Sequence, residues 1–184
     1  MALTPSNMMP LGTEAPAFSL PDTVSGNVLT LDELASDKAT VVMFICNHCP
    51  FVKNINEELV RVATRFGKRG VSFVAISAND AENYPEDAPD KMRQSAEDNK
   101  YPFPYLYDED QSVAKAYDAA CTPDFYVFDG DKKCVYRGRF DESTPGNSLP
   151  VTGNDLKVAL EAVLEGKPVE GEQLPSMGCN IKWK

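Results

Sequence analysis

The chain has 184 residues, of which 42% are hydrophobic and 25% are charged, and its formal net charge at pH 7 is −10. These values are ordinary for a soluble globular protein that buries its own core. The acidic balance argues against nucleic acid and against anionic membrane surfaces as partners, because both would repel the protein. The sequence has no apolar run of membrane-spanning length and no visible secretory signal, so we expect a cytoplasmic protein.

The first 45 residues predict two short strands, a short helix and then a buried strand. A β-hairpin is expected over 15–31, because short apolar runs flank the turn signal Ser25-Gly26-Asn27. Thr30 and Glu33 have the spacing of a capping box, which opens a short helix. The apolar run at 40–45 predicts a buried strand.

Two cysteines, Cys46 and Cys49, stand directly after this strand and before a long segment of helical period that reaches about Phe66. Free amide N–H groups at the start of a helix stabilise an anion, and the thiolate is the reactive form of cysteine. In a reducing compartment a Cys-x-x-Cys pair is more often catalytic or metal-binding than structural. The motif therefore predicts a dithiol redox site.

The rest of the chain is predicted to alternate short strands and helices. In order, these are a strand at 71–77, an exposed acidic helix at 88–99, an extended segment at 105–107, a short helix at 111–117, strands at 125–128 and 134–140, and a helix from Asn154. The first of these strands completes a β-α-β unit around the two cysteines, for which a parallel, right-handed crossover is expected. The acidic residues at 80–98 and 108–110 are expected to serve solubility.

Three stretches resemble the thioredoxin-like superfamily, in particular its redoxin branch, which holds the AhpC/TSA proteins and the TlpA/ResA-type oxidoreductases. They are the segment at 12–22, the strand-Cys46-x-x-Cys49-helix unit and the segment at 122–129. The resemblance implies an α/β fold, a three-layer α/β/α sandwich at 11–166 with an N-terminal β-hairpin. Residues 167–184 are then expected to form a C-terminal tail packed on this domain, held by Ile181 and Trp183.

Cys46, the N-terminal and more exposed thiol, is expected to attack a disulfide, and Cys49 to resolve the resulting mixed disulfide from inside the helix. Asn47 and His48 lie between the two cysteines and are candidates for tuning the thiolate. We expect Cys46 to have the lowest pKa of the five thiols, because of the helix N-terminus first and of His48 second.

The resemblance also implies that Thr122-Pro123 is a cis peptide facing the dithiol, where it receives the backbone of the substrate. Two departures from the family pattern matter. Thr40 stands where many thioredoxins carry a buried acid, so the usual proton acceptor is missing. The Pro-x-x-x-Thr-x-x-Cys pattern of peroxiredoxins matches neither cysteine of the pair, which weakens direct peroxidase chemistry.

Three further cysteines lie outside the motif. Cys134 is expected to be a core residue. Cys121 and Cys179 are candidate auxiliary thiols: Cys121 is favoured as a small buried residue, although it lies only two positions before Pro123. Cys179 either anchors the tail or reaches an active-site sulfur, and the sequence leaves both alternatives open.

The leading hypothesis is a thiol–disulfide oxidoreductase that reduces or exchanges a protein or small-molecule disulfide and receives electrons from a partner thiol reductase. No cofactor and no metal are expected, and the protein is expected to be a monomer or a homodimer. One alternative is a thiol-dependent peroxidase. Another is a copper- or metal-binding protein similar to the Sco proteins, although these have a Cys-x-x-x-Cys spacing and a distant histidine, and His48 is the only histidine here.

Overall fold

The computed structural model describes residues 3–184, which contain ten β-strands, five α-helices and one 3-10 helix. The strands are β1 (Leu3–Pro5), β2 (Ser19–Pro21), β3 (Val28–Thr30), β4 (Ala39–Phe44), β5 (Val71–Ser77), β6 (Tyr105–Tyr107), β7 (Cys121–Thr122), β8 (Asp124–Asp129), β9 (Cys134–Gly138) and β10 (Met177–Asn180). The α-helices are α1 (Leu31–Leu34), α2 (Pro50–Gly67), α3 (Pro89–Asn99), α4 (Ser112–Ala116) and α5 (Asn154–Leu164), and the 3-10 helix is Pro85–Asp87. Within this part of the chain, no helix is both long and apolar enough to cross a bilayer.

A five-stranded sheet with the order β6-β5-β4-β8-β9 forms the centre of the fold. Its middle strand β4 is buried at all six positions, as its uninterrupted apolar sequence predicts. It pairs in parallel with β5 and antiparallel with β8. The expected parallel β-α-β unit around the dithiol is therefore present, with α2 as its crossover.

Helices cover both faces of this sheet, which makes three layers. On one face the side chains of α2, α3 and α5 pack in one buried cluster with alternate residues of β4 and β5, such as Val41 and Met43. On the other face α1, α4 and the β2-β3 hairpin pack against Val42 and Phe44. The predicted α/β/α sandwich with an N-terminal hairpin is confirmed.

A second sheet was not predicted from the sequence. It has three strands in the order β1-β10-β7, all antiparallel, and it joins both ends of the described chain to the segment before Pro123. Residues near the C-terminus therefore form the central strand of a sheet. Strand β7 leads directly into β8 of the main sheet, so this small sheet lies against the end of the large one.

The residues that hold the tail differ in part from those expected. Ile181 is buried, as predicted, and its amide donates to the Ala120 carbonyl at 3.0 Å. Trp183 is instead 42% exposed, with the Lys115 ammonium 5.8 Å from the centre of its ring. Lys182 is buried instead. Its backbone amide donates to Asn79 Oδ1, just after β5, and its side-chain amine donates to the Asn180 carbonyl.

Candidate active site

The two cysteines of the motif lie between the end of β4 and the start of α2. The strand ends at Phe44, and Cys49 is the N-cap residue of α2, followed by Pro50 at the first helical position. Proline suits that position because it has no N–H to leave unpaired and its φ angle is already helical. Both thiols are buried: Cys46 is 2% exposed and Cys49 is fully buried. Cys46 is the more exposed of the two, as expected, but only by a small margin.

Thr122 and Pro123 meet the dithiol, as the resemblance implied. The Thr122-Pro123 peptide bond is cis, which confirms that prediction. The Thr122 hydroxyl lies 3.4 Å from Cys46 Sγ, and the Thr122 carbonyl oxygen lies 3.3 Å from Cys49 Sγ. Both polar groups of this one residue thus contact the two sulfurs.

The backbone edge expected to receive a substrate is already occupied. Strand β10 pairs antiparallel with β7, and Cys179 lies opposite Thr122 while Asn180 lies opposite Cys121. A substrate strand cannot pair with the same backbone groups while the tail is in place. In this conformation the chain's own tail takes the position predicted for the substrate.

Cys179 reaches the dithiol. Its Sγ lies 3.0 Å from the Sγ of Cys49, and both side chains are buried. Of the two alternatives that the sequence left open, the structure supports docking beside the active site. Cys179 also contributes to the packing of the tail, so the two alternatives are not exclusive.

The other two cysteines are packed thiols. Cys121 is buried and donates toward the Pro123 carbonyl at 4.0 Å, while Cys134 donates to the Tyr136 carbonyl at 3.5 Å. Burial raises the pKa of Cys121, and it raises the pKa of Cys134 to about 11. Buried protonated thiols of this kind are poor nucleophiles, so the expectation that Cys134 is a core residue is confirmed and Cys121 is a poor candidate for redox chemistry.

Asp87, at the end of the 3-10 helix, is a site residue that the sequence did not indicate. Its fully buried carboxylate accepts from the Asn47 amide at 2.7 Å, from His48 Nδ1 at 2.6 Å and from Asn79 Nδ2 at 2.7 Å. Three donors stabilise a buried carboxylate that would otherwise be costly. The acidic run at 80–98 was expected to be solvated, and for Asp87 that expectation is wrong.

Asn47 and His48, predicted to tune the thiolate, both bond to this carboxylate, Asn47 through its backbone amide and His48 through its ring. Beyond its backbone bond, Asn47 donates from its side chain to the Glu86 carbonyl and accepts from the Tyr105 hydroxyl. The His48 ring stacks on Tyr84 with 5.9 Å between ring centres. Any influence of His48 on Cys46 therefore acts together with Asp87.

The thiol pKa values reverse the order expected from the sequence. Donation of its proton to Cys49, burial and the Asp87 carboxylate raise the pKa of Cys46 well above its usual value. The hydrogen bond from Cys46, joined by those from Cys179 and the Val52 amide and opposed by burial, lowers the pKa of Cys49 to about 5. In this closed conformation it is Cys49, not Cys46, whose pKa is lowered, which is the opposite of the order predicted from the sequence.

One group of three potential metal ligands occurs within residues 3–184. A ligand atom from each of Cys46, His48 and Asp87 lies within 4.8 Å of the others. The Asp87 carboxylate already accepts three hydrogen bonds within the protein, two of them from groups that are not ligands. A metal at this point would compete with that network.

Comparison with known proteins places the chain in a family. The AhpC/TSA family profile matches residues 11–137. The chain belongs to the AhpC/TSA family. No curated protein sequence matches it.

Several solved structures have the same fold. An uncharacterized conserved protein from Geobacillus kaustophilus is 61% identical, with a TM-score of 0.99 over 100% of this chain and 97% of its own. A hypothetical protein from Sinorhizobium meliloti 1021 is 49% identical, with a TM-score of 0.96 over 98% of each chain. The peroxidoxin BcpB from Mycobacterium tuberculosis is 22% identical, with a TM-score of 0.64 over 86% of this chain and 98% of its own.

Thiol–disulfide oxidoreductases and thioredoxin-family proteins match as well, at 18–22% identity and with TM-scores of 0.59–0.66. At such identity the likeness shows the fold alone. This AhpC/TSA protein therefore has the thioredoxin-like fold, and its family is one of oxidoreductases. Its reaction has to be argued from its own site.

Proposed function

We propose that this protein is a thiol–disulfide oxidoreductase whose redox-active dithiol is Cys46 and Cys49. The observation that carries the proposal is the placement of the pair: both sulfurs lie at the strand-to-helix junction, and both lie within 3.4 Å of Thr122. A dithiol at a helix N-terminus has the two features that disulfide exchange needs, which are a stabilised thiolate and a second thiol beside it.

The proposed reaction uses the two thiols in sequence. Cys46 attacks one sulfur of a substrate disulfide and forms a mixed disulfide, and the first substrate thiol leaves. Cys49 then attacks Cys46 Sγ, the second substrate thiol leaves, and the protein holds the Cys46–Cys49 disulfide. The substrate has gained two electrons and two protons, which a partner thiol reductase restores to the protein.

The shared proton of the pair accounts for how Cys46 becomes a nucleophile. Cys46 donates to Cys49, and the pair has to be treated as one titrating unit rather than as two separate thiols. Transfer of that proton to Cys49 makes Cys46 the thiolate without any change in net charge. The Thr122 hydroxyl, at 3.4 Å, is placed to donate a hydrogen bond to it.

Access is the step that the closed conformation does not provide, because both thiols are buried. A cavity lined by Pro123 offers a surface for a substrate, and Phe51, Ile55, Phe140 and Met177 are among its other lining residues. We propose that a protein or small-molecule disulfide enters on this side. We propose that it works in a reducing compartment such as the cytoplasm, where a Cys-x-x-Cys pair is more often catalytic or metal-binding than structural.

A thiol-dependent peroxidase is the second candidate, and the burial of Cys46 favours it because hydrogen peroxide needs far less space than a disulfide. In that reaction the Cys46 thiolate breaks the peroxide O–O bond and becomes a sulfenic acid, releasing water. Cys49 then displaces the second water molecule and forms the same disulfide. The absence of the peroxiredoxin sequence pattern around either cysteine argues against it.

Turnover with the two kinds of substrate separates the candidates. Reduced protein is supplied with insulin and dithiothreitol in one assay and with hydrogen peroxide in the other, using wild type, Cys46→Ser and, as a matched control, Cys134→Ser. The proposal expects insulin reduction that Cys46→Ser abolishes and Cys134→Ser preserves. Insulin reduction that survives Cys46→Ser would contradict it, and rapid peroxide consumption without insulin reduction would establish the peroxidase instead.

A further inference from the structure

We infer that Cys179 is a third redox thiol of this site and that the Cys46–Cys49 disulfide is exchanged for a Cys49–Cys179 disulfide. This inference rests on the proposed function, since it extends the chemistry of the same dithiol. It gives the C-terminal strand a direct part in the reaction.

The first support is contact. Cys179 Sγ lies 3.0 Å from Cys49 Sγ, which is the sulfur common to both disulfides. Both residues are at least 98% buried, so neither sulfur is accessible to solvent. A disulfide between them requires only a small approach of atoms that already touch.

The second support is strand register. Residues that lie directly opposite in an antiparallel pair present their side chains on the same face of the sheet. Cys179 lies opposite Thr122, and the Thr122 side chain points at Cys46. A shift of one residue would turn Cys179 to the other face, so its position beside the dithiol depends on this register.

Contacts on both sides of Cys179 hold that register. Before it, Ser176 donates from its hydroxyl to the Pro123 carbonyl at 2.6 Å. After it, the Lys182 amide donates to Asn79 Oδ1 at 2.8 Å, and the Lys182 carbonyl accepts from Gln111 Nε2 at 2.8 Å. The tail is fixed by buried hydrogen bonds rather than laid loosely on the surface.

The exchange is balanced within the chain. The Cys179 thiolate attacks Cys49 Sγ, the Cys46–Cys49 bond breaks, and Cys46 leaves as a thiolate that takes up the proton given by Cys179. One disulfide replaces another, so no oxidant or reductant is consumed. The oxidised protein then keeps Cys46 as a thiol while Cys49 and Cys179 hold the oxidising equivalents.

The electrostatics of the reduced site agree with this order of events. Burial, the hydrogen bond to Cys49 and the charge of the Cys49 thiolate raise the pKa of Cys179 to about 12 and keep it protonated. When Cys49 enters a disulfide it loses its negative charge. The hydrogen bond to the Cys49 thiolate and its charge then no longer raise the pKa of Cys179. Cys179 is therefore easier to deprotonate when it has to attack the disulfide.

Disulfide mapping in a Cys46→Ser variant tests the inference. The reduced variant is treated with diamide, free thiols are alkylated, and the linked peptides are identified by mass spectrometry. We expect an intramolecular Cys49–Cys179 linkage and the loss of alkylation at both residues. Cys46→Ser combined with Cys121→Ser is the matched control and should give the same linkage. If folded Cys46→Ser, as judged by circular dichroism, leaves Cys49 and Cys179 fully alkylated, the inference is overturned.

Oxidised wild type supplies the second measurement. It should contain a fraction with alkylated Cys46 equal to the fraction with the Cys49–Cys179 linkage, and Cys179→Ser should lose that fraction completely. A wild type that holds only the Cys46–Cys49 disulfide would also overturn the inference. Neither mapping requires turnover of a substrate, so a failure here is distinct from a failure of insulin reduction, which bears on the proposed function alone.

Discussion

Gly178 lies directly against the backbone of Thr122, so close that a Cβ atom at position 178 would come within 2.0 Å of the Thr122 carbonyl oxygen. That oxygen is also the one that Cys49 Sγ contacts at 3.3 Å. The residue before Cys179 must therefore be a glycine for β10 to reach its position. The approach of the tail to the dithiol is set by the absence of one side chain.

A Gly178→Ala substitution should lift β10 away from Thr122 and separate Cys179 from Cys49. The added methyl group meets backbone atoms that cannot move aside easily, so we expect a loss of stability of about 1–3 kcal/mol. The yield of the Cys49–Cys179 linkage after diamide treatment should fall with it. Gly67→Ala is the control, because a Cβ there meets nothing within 4 Å; equal yields in the two variants would show that the contact does not matter.

We expect the reduced protein to contain a thiolate at pH values well below neutral. Hydrogen bonds from Cys46, Cys179 and the Val52 amide, against the effect of burial, lower the pKa of Cys49 to about 5. The ultraviolet absorbance of the thiolate should therefore appear as the pH rises through about 5. Cys49→Ser should remove this transition and Cys134→Ser should keep it; a transition that begins only above pH 8 would contradict the proposed hydrogen-bonding pattern.

Replacing Asp87 by Asn should lower the pKa of Cys46, because the carboxylate beside it is one of the causes that raise that pKa. The amide would also present an NH2 group to donors that now bond to a carboxylate oxygen, which should cost about 1–3 kcal/mol of stability. Thiol titration and urea unfolding measure the two effects. Asp90→Asn, at an exposed position of α3, is the comparison, and it should change neither.

Asp124 should make stability fall as the pH rises. It is buried one residue after Pro123, and burial, despite hydrogen bonds from Ser6 and Tyr126, raises its pKa to about 7 from an ordinary value of 3.8. A carboxyl group whose pKa is higher in the folded state binds its proton more tightly there. Its contribution is complete below about pH 4 and is lost as the pH rises through about 7.

The stability of Asp124→Asn relative to wild type should therefore increase as the pH is raised from 5 to 8. Urea unfolding at both pH values measures this change. The gain should be on the order of a few kcal/mol or less, because the hydrogen bonds of Asp124 also change. Asp131→Asn, an exposed aspartate, should show no such difference. A constant stability difference between Asp124→Asn and wild type across this range would mean that Asp124 is ionised in the fold throughout.

The parts of the structure that follow from local sequence were predicted well. The β4-α2-β5 unit was predicted because an unbroken apolar run, a helical period and a second apolar run follow one another. The positions of Cys46, Cys49 and the Thr122-Pro123 peptide came from that pattern and from the family resemblance. All four residues meet in the structure.

The parts that were missed depend on contacts between distant segments. Strand β10 contains Gly178 and Asn180, which are poor strand formers, so its sequence carries no strand signal. Its conformation is decided by its partners β1 and β7. Asp87 lies about forty residues after His48 in an acidic run that is otherwise mostly exposed. Only the fold brings its carboxylate close to His48 and Cys46.

The central place of β10 in the small sheet has a consequence for how the site opens. In the described part of the chain, β1 and β7 lie on opposite sides of β10, and each of them pairs with it. If the tail leaves so that a large substrate can enter, two strands are left with unpaired backbone groups, and such edges invite pairing with another chain. An open state of this protein is therefore at risk of self-association, and we expect it to be brief unless an incoming extended peptide fills the vacated strand position.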